Sequence, residues 1–313
     1  MNNRKRHQWK VRARTLLLGE RTLIMGVLNV TPDSFTDGGK FSDPDRAYAH
    51  AIELEEAGAD IIDIGAESTR PGSQRISEAE ELRRLIPVLK RLQNKLAIPL
   101  SVDTYKSSVA EKAMEYGVEI VNDPSSLTFD PHLARTAANH DAGLILNHMR
   151  GTPESWAKLA PLKDVMGSIF EDLHACVHRA VGSGVDRTRI VVDPGLGFGK
   201  RKEQNSEILA RLPELVKIDL PILVGPSRKS FLSQITDIET EFATAAAVTA
   251  AILGGAHMVR VHNVKDMRTV VQIADQILSA GPEPAEPEAA PPPRRRGDRI
   301  GQERPAFRPG FRR

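Results

Sequence analysis

Ile190-Val191-Val192-Asp193-Pro194-Gly195-Leu196-Gly197-Phe198-Gly199-Lys200 is the stretch whose reading decides the fold. Three β-branched residues run into a carboxylate and then a proline-glycine turn, the pattern of a buried strand that ends on an acid. In α/β folds the carboxyl tip of a strand is where chemistry collects. The glycines fit no nucleotide loop. The run is not Gly-x-Gly-x-x-Gly, and a phosphate loop needs glycine where Pro194 stands and Ser or Thr where Arg201 stands. Taken alone, Asp193 reads as a turn cap. What changes that reading is recurrence of the same pattern along the chain.

On the carboxyl side, a helix is expected near residues 206–212, a strand at 221–225, an alanine-rich helix at 242–253, a strand at 257–262 and a last helix at 264–278. On the amino side the couplets are 143–148 with 165–181, 118–122 with 131–139, and 99–103 with 107–116. Before them come 60–65 with 77–92, where Ser77 and Glu80 are placed as a capping box. The first couplet is 22–30 with 43–57, whose Ala47, Ala51, Leu54 and Ala57 recur at helical steps and whose stop is Gly58. Eight strands, each followed by a helix, predict a TIM (β/α)8 barrel over residues 21–280. Near-continuous apolar strands suit a parallel sheet buried on both faces. An open doubly wound sheet is the competing arrangement.

The 313 residues are 40% hydrophobic, ample for a large core, and the formal net charge is +2. That charge is uneven. Arg4, Lys5, Arg6, Lys10, Arg12 and Arg14 precede any acid, so residues 1–20 read as a basic leader. Residues 281–313, rich in proline, alanine and arginine, read as a disordered C-terminal tail unable to bury enough apolar surface to order itself. The body between is net acidic, and no nucleic-acid footprint is implied on it. No apolar run reaches membrane-span length and no signal-peptide core is present, which predicts a soluble, cytoplasmic protein. The lone Cys176 reads as a small buried residue, and His174 with His178 as a solvated helix face.

On the barrel reading, one rim gathers Asn29, the Glu67-Ser68-Thr69-Arg70 turn, Asp103, Asn122, Asp193, the Ser227-Arg228-Lys229 loop, Arg260 and His262. Asp103, Asn122 and Asp193 suit a flat heterocycle with a guanidine-like edge. Arg70, Lys229, Arg260 and His262 form a cationic group matched to a diphosphate. Asp63 and Asn122 can alternatively brace the barrel.

The motifs Leu28-Asn29-Val30-Thr31-Pro32-Asp33-Ser34-Phe35-Thr36-Asp37-Gly38-Gly39, Asp63-Ile64-Gly65-Ala66-Glu67-Ser68-Thr69-Arg70-Pro71-Gly72, Ser101-Val102-Asp103-Thr104, Asn122-Asp123, the opening stretch, Ser227-Arg228-Lys229-Ser230 and Arg260-Val261-His262 occur in that order. Together, over about residues 20 to 278, they resemble the dihydropteroate synthase family. That family condenses 6-hydroxymethyl-7,8-dihydropterin diphosphate with 4-aminobenzoate on a TIM barrel, with magnesium, giving dihydropteroate and pyrophosphate. The resemblance implies that Asp103, Asn122, Asp193 and Lys229 hold the pterin, and that Asn29, Arg70, Arg260 and His262 surround the diphosphate, with Asn29 toward Mg2+. It implies Phe35, Ser68, Thr69, Pro71, Phe198 and Ser230 around the aminobenzoate, Asp37 ordering the first loop, and a homodimer. Asn263 stands where the family usually has aspartate, which weakens any argument for an acid behind His262. A pterin-binding methyltransferase domain and a catalytically silent ligand-binding paralogue are the competing functions.

Overall fold

The computed structural model describes residues 4–31, 43–70, 72–232 and 236–280. Phe35, Asp37, Pro71 and the 281–313 segment lie outside them. The described strands are β1 (His7–Val11), β2 (Arg14–Leu18), β3 (Leu23–Asn29), β4 (Ile61–Gly65), β5 (Leu100–Asp103), β6 (Ile120–Asp123), β7 (Gly143–Asn147), β8 (Ile190–Asp193), β9 (Leu223–Val224) and β10 (Met258–Val261). The helices are α1 (Asp43–Glu56), α2 (Glu78–Leu92), α3 (Ser107–Glu115), α4 (Leu133–Asn139), α5 (Val165–Gly182), α6 (Lys202–Ala210), α7 (Asp237–Leu253) and α8 (Val264–Ala280). None of these helices is long and apolar enough to cross a membrane.

Among the described residues, eight parallel strands pair in the order β8-β7-β6-β5-β4-β3-β10-β9. A parallel bridge from Val192 to Ile222, with the Val192 N–H on the Pro221 carbonyl at 3.0 Å, joins the two ends. The sheet is therefore a barrel and not the open doubly wound arrangement.

Strand alternation sorts the apolar residues into two populations. Ile24, Leu28, Ile62, Ile64, Val102, Val121, Leu144, Leu146 and Val192 pack outward against helix residues such as Ala51, Leu85, Ala110 and Ile252. Met25, Ile61, Ile120, Ile145, Val191, Leu223 and Met258 form a separate inner cluster with Trp9, Val11 and Leu18.

That last trio is the main departure from expectation. Residues 1–20 read as a basic leader, but β1 and β2 pair as an antiparallel hairpin that stoppers the barrel's amino end. Trp9 is fully buried, and its indole donates to the Arg189 carbonyl at 2.8 Å. A Cβ on Gly143 would lie 2.6 Å from Val11 and 3.0 Å from Trp9, so only glycine lets the hairpin seat there. The basic residues staple it. Arg4 pairs with Asp275 at 2.7 Å, Arg6 with Glu20 at 3.1 Å, Arg14 with Glu119 at 3.0 Å, and Lys5 with Asp219. Arg12 donates to the Met114 and Val118 carbonyls at 3.0 and 3.1 Å.

Two helix starts also moved. The α6 helix begins at Lys202 because Gln204 and Asn205 bury their amides against backbone instead of presenting an apolar stripe. The α7 helix begins at Asp237, where Thr236 and Glu239 complete a capping box. At Ser77 only half of the expected box forms. Ser77 accepts from the Glu80 N–H, while the Glu80 carboxylate turns to Arg83 and Arg84.

Candidate active site

One inward step along each strand, about 6.6 Å, converts the barrel interior from apolar to polar. Ile61 is followed by Asp63, Ile120 by Asn122, Val191 by Asp193, and Met258 by Arg260 and His262. Asn29, Gly65, Asp103 and Asn122 are successive register partners across β3, β4, β5 and β6, so they stand on one level of the rim.

Arg260 is at the centre. Its Nε donates to Asp63 Oδ2 at 2.6 Å and a terminal nitrogen donates to Asp103 Oδ2 at 2.8 Å. Asn122 Nδ2 donates to the same Asp63 oxygen at 2.9 Å. Asp63 is fully buried, and its Oδ1 has no partner among the described residues. Burial holds the Asp103 carboxyl above the usual range, with Arg260 opposing and Asp63 reinforcing that shift. Arg260 was expected among the diphosphate cations. Its charge is shared with Asp103 of the heterocycle group and with Asp63, so the two expected groups interlock.

Asp193 accepts the Gly195 N–H at 2.7 Å, and burial pushes it up to about 6. The loop after it is locked from behind. The Lys200 ammonium, buried, donates to the carbonyls of His148, Pro194 and Gly195 at 2.8, 2.8 and 2.7 Å. Gly195, at φ +69°, passes so close to the His148 carbonyl that a Cβ would lie 1.9 Å from it. Phe198 packs edge-on against Trp156, with Lys229 Nζ 4.1 Å above its ring. Burial, and then Arg260, push the Lys229 ammonium down to about 8, with Asp193 and Asp103 pulling it back.

His262 is held by Ser227. The Ser227 hydroxyl accepts the His262 backbone N–H at 3.2 Å and lies 2.9 Å from Nδ1. The hydroxyl can donate its hydrogen to Nδ1 or accept from it with its second lone pair, so this contact orients the ring without choosing its tautomer. Burial and then the Arg260, Arg228, Lys229 and Arg70 charges push His262 down to about 3, so the ring is neutral. Asn263 is no part of this, because its side chain caps the start of α8 through Asp266. Arg228 is likewise spoken for, with Nε on Glu241 at 2.7 Å.

An open cavity of about 1080 Å³ is lined by Asn29, Ser68, Thr69, Arg70, Asp103, Lys229, Ser230, Arg260 and His262, among other described residues. Asn122, Asp193 and Phe198 are not on this wall. Asn122 is linked to it by two hydrogen bonds, through Asp63 to Arg260, and Phe198 lies under Lys229. Phe35 and Pro71 fall outside the described residues. Sequence reasoning gave Asp63 only a bracing role, and it missed Ser227 and Lys200 as partners. Asp63 had a signal, an acid at an inward position of an otherwise apolar strand. Among the described residues no group of three or more His, Cys, Asp or Glu side chains could hold a metal ion. Asn29, on the cavity wall, offers a neutral amide oxygen, which fits a magnesium ion held mostly by phosphate and water. Cys176 is buried, its thiol pushed up to about 12 by burial, and it is no nucleophile.

Comparison with known proteins gives the family. The pterin binding enzyme family matches residues 25–262. A dihydropteroate synthase from Synechocystis is 44% identical over 263 residues, covering 83% of this chain and 91% of the relative. The Xanthomonas albilineans dihydropteroate synthase solved with 4-aminobenzoic acid superposes with a TM-score of 0.81 at 36% identity, covering 88% of this chain and 100% of that one. The Yersinia pestis enzyme in a sulfonamide drug complex gives 0.81 at 38% identity, covering 87% and 100%.

Proposed function

The chain belongs to the dihydropteroate synthase family of pterin-binding enzymes, and from that premise we propose how its rim carries the reaction. It is a transferase of folate biosynthesis that condenses 6-hydroxymethyl-7,8-dihydropterin diphosphate with 4-aminobenzoate, giving 7,8-dihydropteroate and pyrophosphate. The observation that carries the assignment of parts is that one cavity is lined together by Asp103, Arg260, Arg70, Lys229 and His262.

Asp103, Asn122, Asp193 and Lys229 hold the pterin, the acids meeting its guanidine-like edge. Arg70, Arg260 and neutral His262 receive the diphosphate, and Asn29 would hold its magnesium. When bound, that Mg2+ supplies charge to the leaving diphosphate. Ser68, Thr69 and Ser230, with Phe35, Pro71 and Phe198, frame the aminobenzoate. The bond from the pterin methylene carbon to the diphosphate oxygen breaks, and its electron pair leaves with the anion. The aminobenzoate nitrogen forms the new C–N bond and loses one proton to water. The protein supplies no nucleophile. Its preorganised charges steady a departing anion on one side and an electron-poor ring on the other. A sulfonamide competes for the aminobenzoate place.

A homodimer is part of this proposal. Ile238, Phe242 and Leu253 lie exposed along one stripe of α7, with Ile273 and Ile277 exposed on α8, a face suited to a second copy. A cytoplasmic location belongs to it as well. The decisive experiment identifies the product by mass after incubation with both substrates and magnesium. Dihydropteroate sustains the reading. Its absence, with methyl transfer from methyltetrahydrofolate instead, would replace it by the methyltransferase function.

A further inference from the structure

Glu67 opens the loop that carries Ser68, Thr69 and Arg70. Its Oε2 accepts from Lys106 Nζ at 2.6 Å, from the Ile76 N–H at 3.2 Å and from the Tyr105 hydroxyl at 3.3 Å. Ile76 stands at the far end of the same loop, so one carboxylate ties both ends together. Lys106, the N-cap of α3, also donates to Glu81 in the first turn of α2. Glu81 is 1% exposed, and its other oxygen has no partner among the described residues. A second clasp lies beside the first. The Arg75 guanidinium, from the same loop, sits 3.7 Å over the Phe129 ring and 5.6 Å from that of Tyr105.

Two acids sharing one lysine in a largely buried place carry a large desolvation cost. Well-packed apolar residues commonly hold helices together as firmly as such a cluster. In some proteins a buried ionic cluster is retained because it fixes geometry. Burial works against the Lys106 charge, and Glu81 with Glu67 outweighs it and holds the ammonium above the usual lysine range. The lysine therefore stays charged at neutral pH. What it grips is the loop over the cavity. The hydrogen bonds of the Asp63, Arg260 and Asp103 centre do not include it.

We propose that Lys106 is a positioning residue: by bridging Glu67 and Glu81 it presets the 67–76 loop, and through that loop the enzyme's hold on its arylamine substrate, without touching the substrate. This rests on the assignment of Ser68 and Thr69 to the aminobenzoate.

The test is Lys106→Met in the full chain. The KM for 4-aminobenzoate is expected to rise about tenfold, and that for the pterin diphosphate, which meets the same loop only at Arg70, by no more than about threefold. Tryptic cleavage between Arg75 and Ile76 is expected to accelerate about tenfold as the loop loosens. Lys106→Arg, which keeps the charge, is expected to recover most of both. Should Lys106→Met fail to fold, Glu67→Gln carries the same measurements, since it retains an acceptor for Ile76 and loses the charge. An equal rise in both KM values, or unchanged KM and cleavage with only a lower melting temperature, would overturn the proposal. If the wild type made no dihydropteroate, the proposed function would fail, and cleavage at Arg75 would still judge this inference.

Discussion

The two ends of the barrel are built from opposite materials. At the amino end, Trp9, Val11 and Leu18 close an apolar plug, and Arg4, Lys5, Arg6 and Arg14 each meet an acid. At the carboxyl end, Asp63, Asp103 and Asp193 are gathered in a buried place with Arg260 and Lys229, and a histidine is held neutral among cations. The first end satisfies its groups within the chain. The second leaves polar atoms, such as Asp63 Oδ1, for which the described residues offer no partner. The contrast teaches that stability and chemistry occupy different levels of the same strands, separated by one inward step.

Substitutions at the two ends are therefore expected to separate, and the one at the centre of the rim has the largest effect. Arg260→Met strips the counter-charge from two buried acids. It is expected to cost about 3–5 kcal/mol of stability and about a thousandfold in kcat/KM, measured by denaturant unfolding and steady-state kinetics. Trp9→Ala, at the other end, is expected to cost about 3–5 kcal/mol of stability with kcat/KM unchanged below the melting temperature. A fall in activity of the folded variant would show that the plug and the rim are coupled.

Two pH effects sharpen the comparison on a smaller scale. Lys229 loses its proton at about 8, so kcat/KM for the pterin diphosphate is expected to fall as pH rises through about 8. Lys229→Arg should lack that limb. At the plug, His257 donates from Nε2 to the Lys5 carbonyl at 3.0 Å and accepts the Ile222 N–H at Nδ1 at 3.1 Å, which fixes it neutral. Burial pushes it down to about 4 from 6.5. Between those values the unfolded chain binds a proton that the fold excludes. Its contribution is thus complete above about 6.5 and is lost as pH falls toward about 4. The difference in melting temperature between wild type and His257→Gln should shrink across that window, with other groups cancelling.

The barrel was legible because each strand is an apolar run, most of them finishing on a polar residue, and because Gly58 and Gly117 mark helix stops. The rim was legible for the same reason, since Asp103, Asn122 and Asp193 are strand tips. The plug was not. Trp9 and Val11 are too few to announce a core among basic residues, and their partners, Gly143 and the Arg189 carbonyl, are distant in sequence. The pairing of Arg260 with Asp63 and Asp103 was hidden likewise. Type and strand position predict that a residue reaches the rim, while barrel closure decides whom it meets there. Lys106 and Lys200 carry no local pattern, because a buried lysine is explained only by the oxygens the fold brings to it.

The most direct test of this division is pyrophosphate release from the full chain with pterin diphosphate and magnesium, with and without 4-aminobenzoate, in wild type and Lys229→Ala. The account predicts release that depends on aminobenzoate, with dihydropteroate formed. It predicts loss of about 10²–10³-fold in the variant with no drop in melting temperature, since a desolvated charge is removed. Lys229→Ala that turns over normally, or that fails by unfolding, would contradict the placing of chemistry at the carboxyl rim.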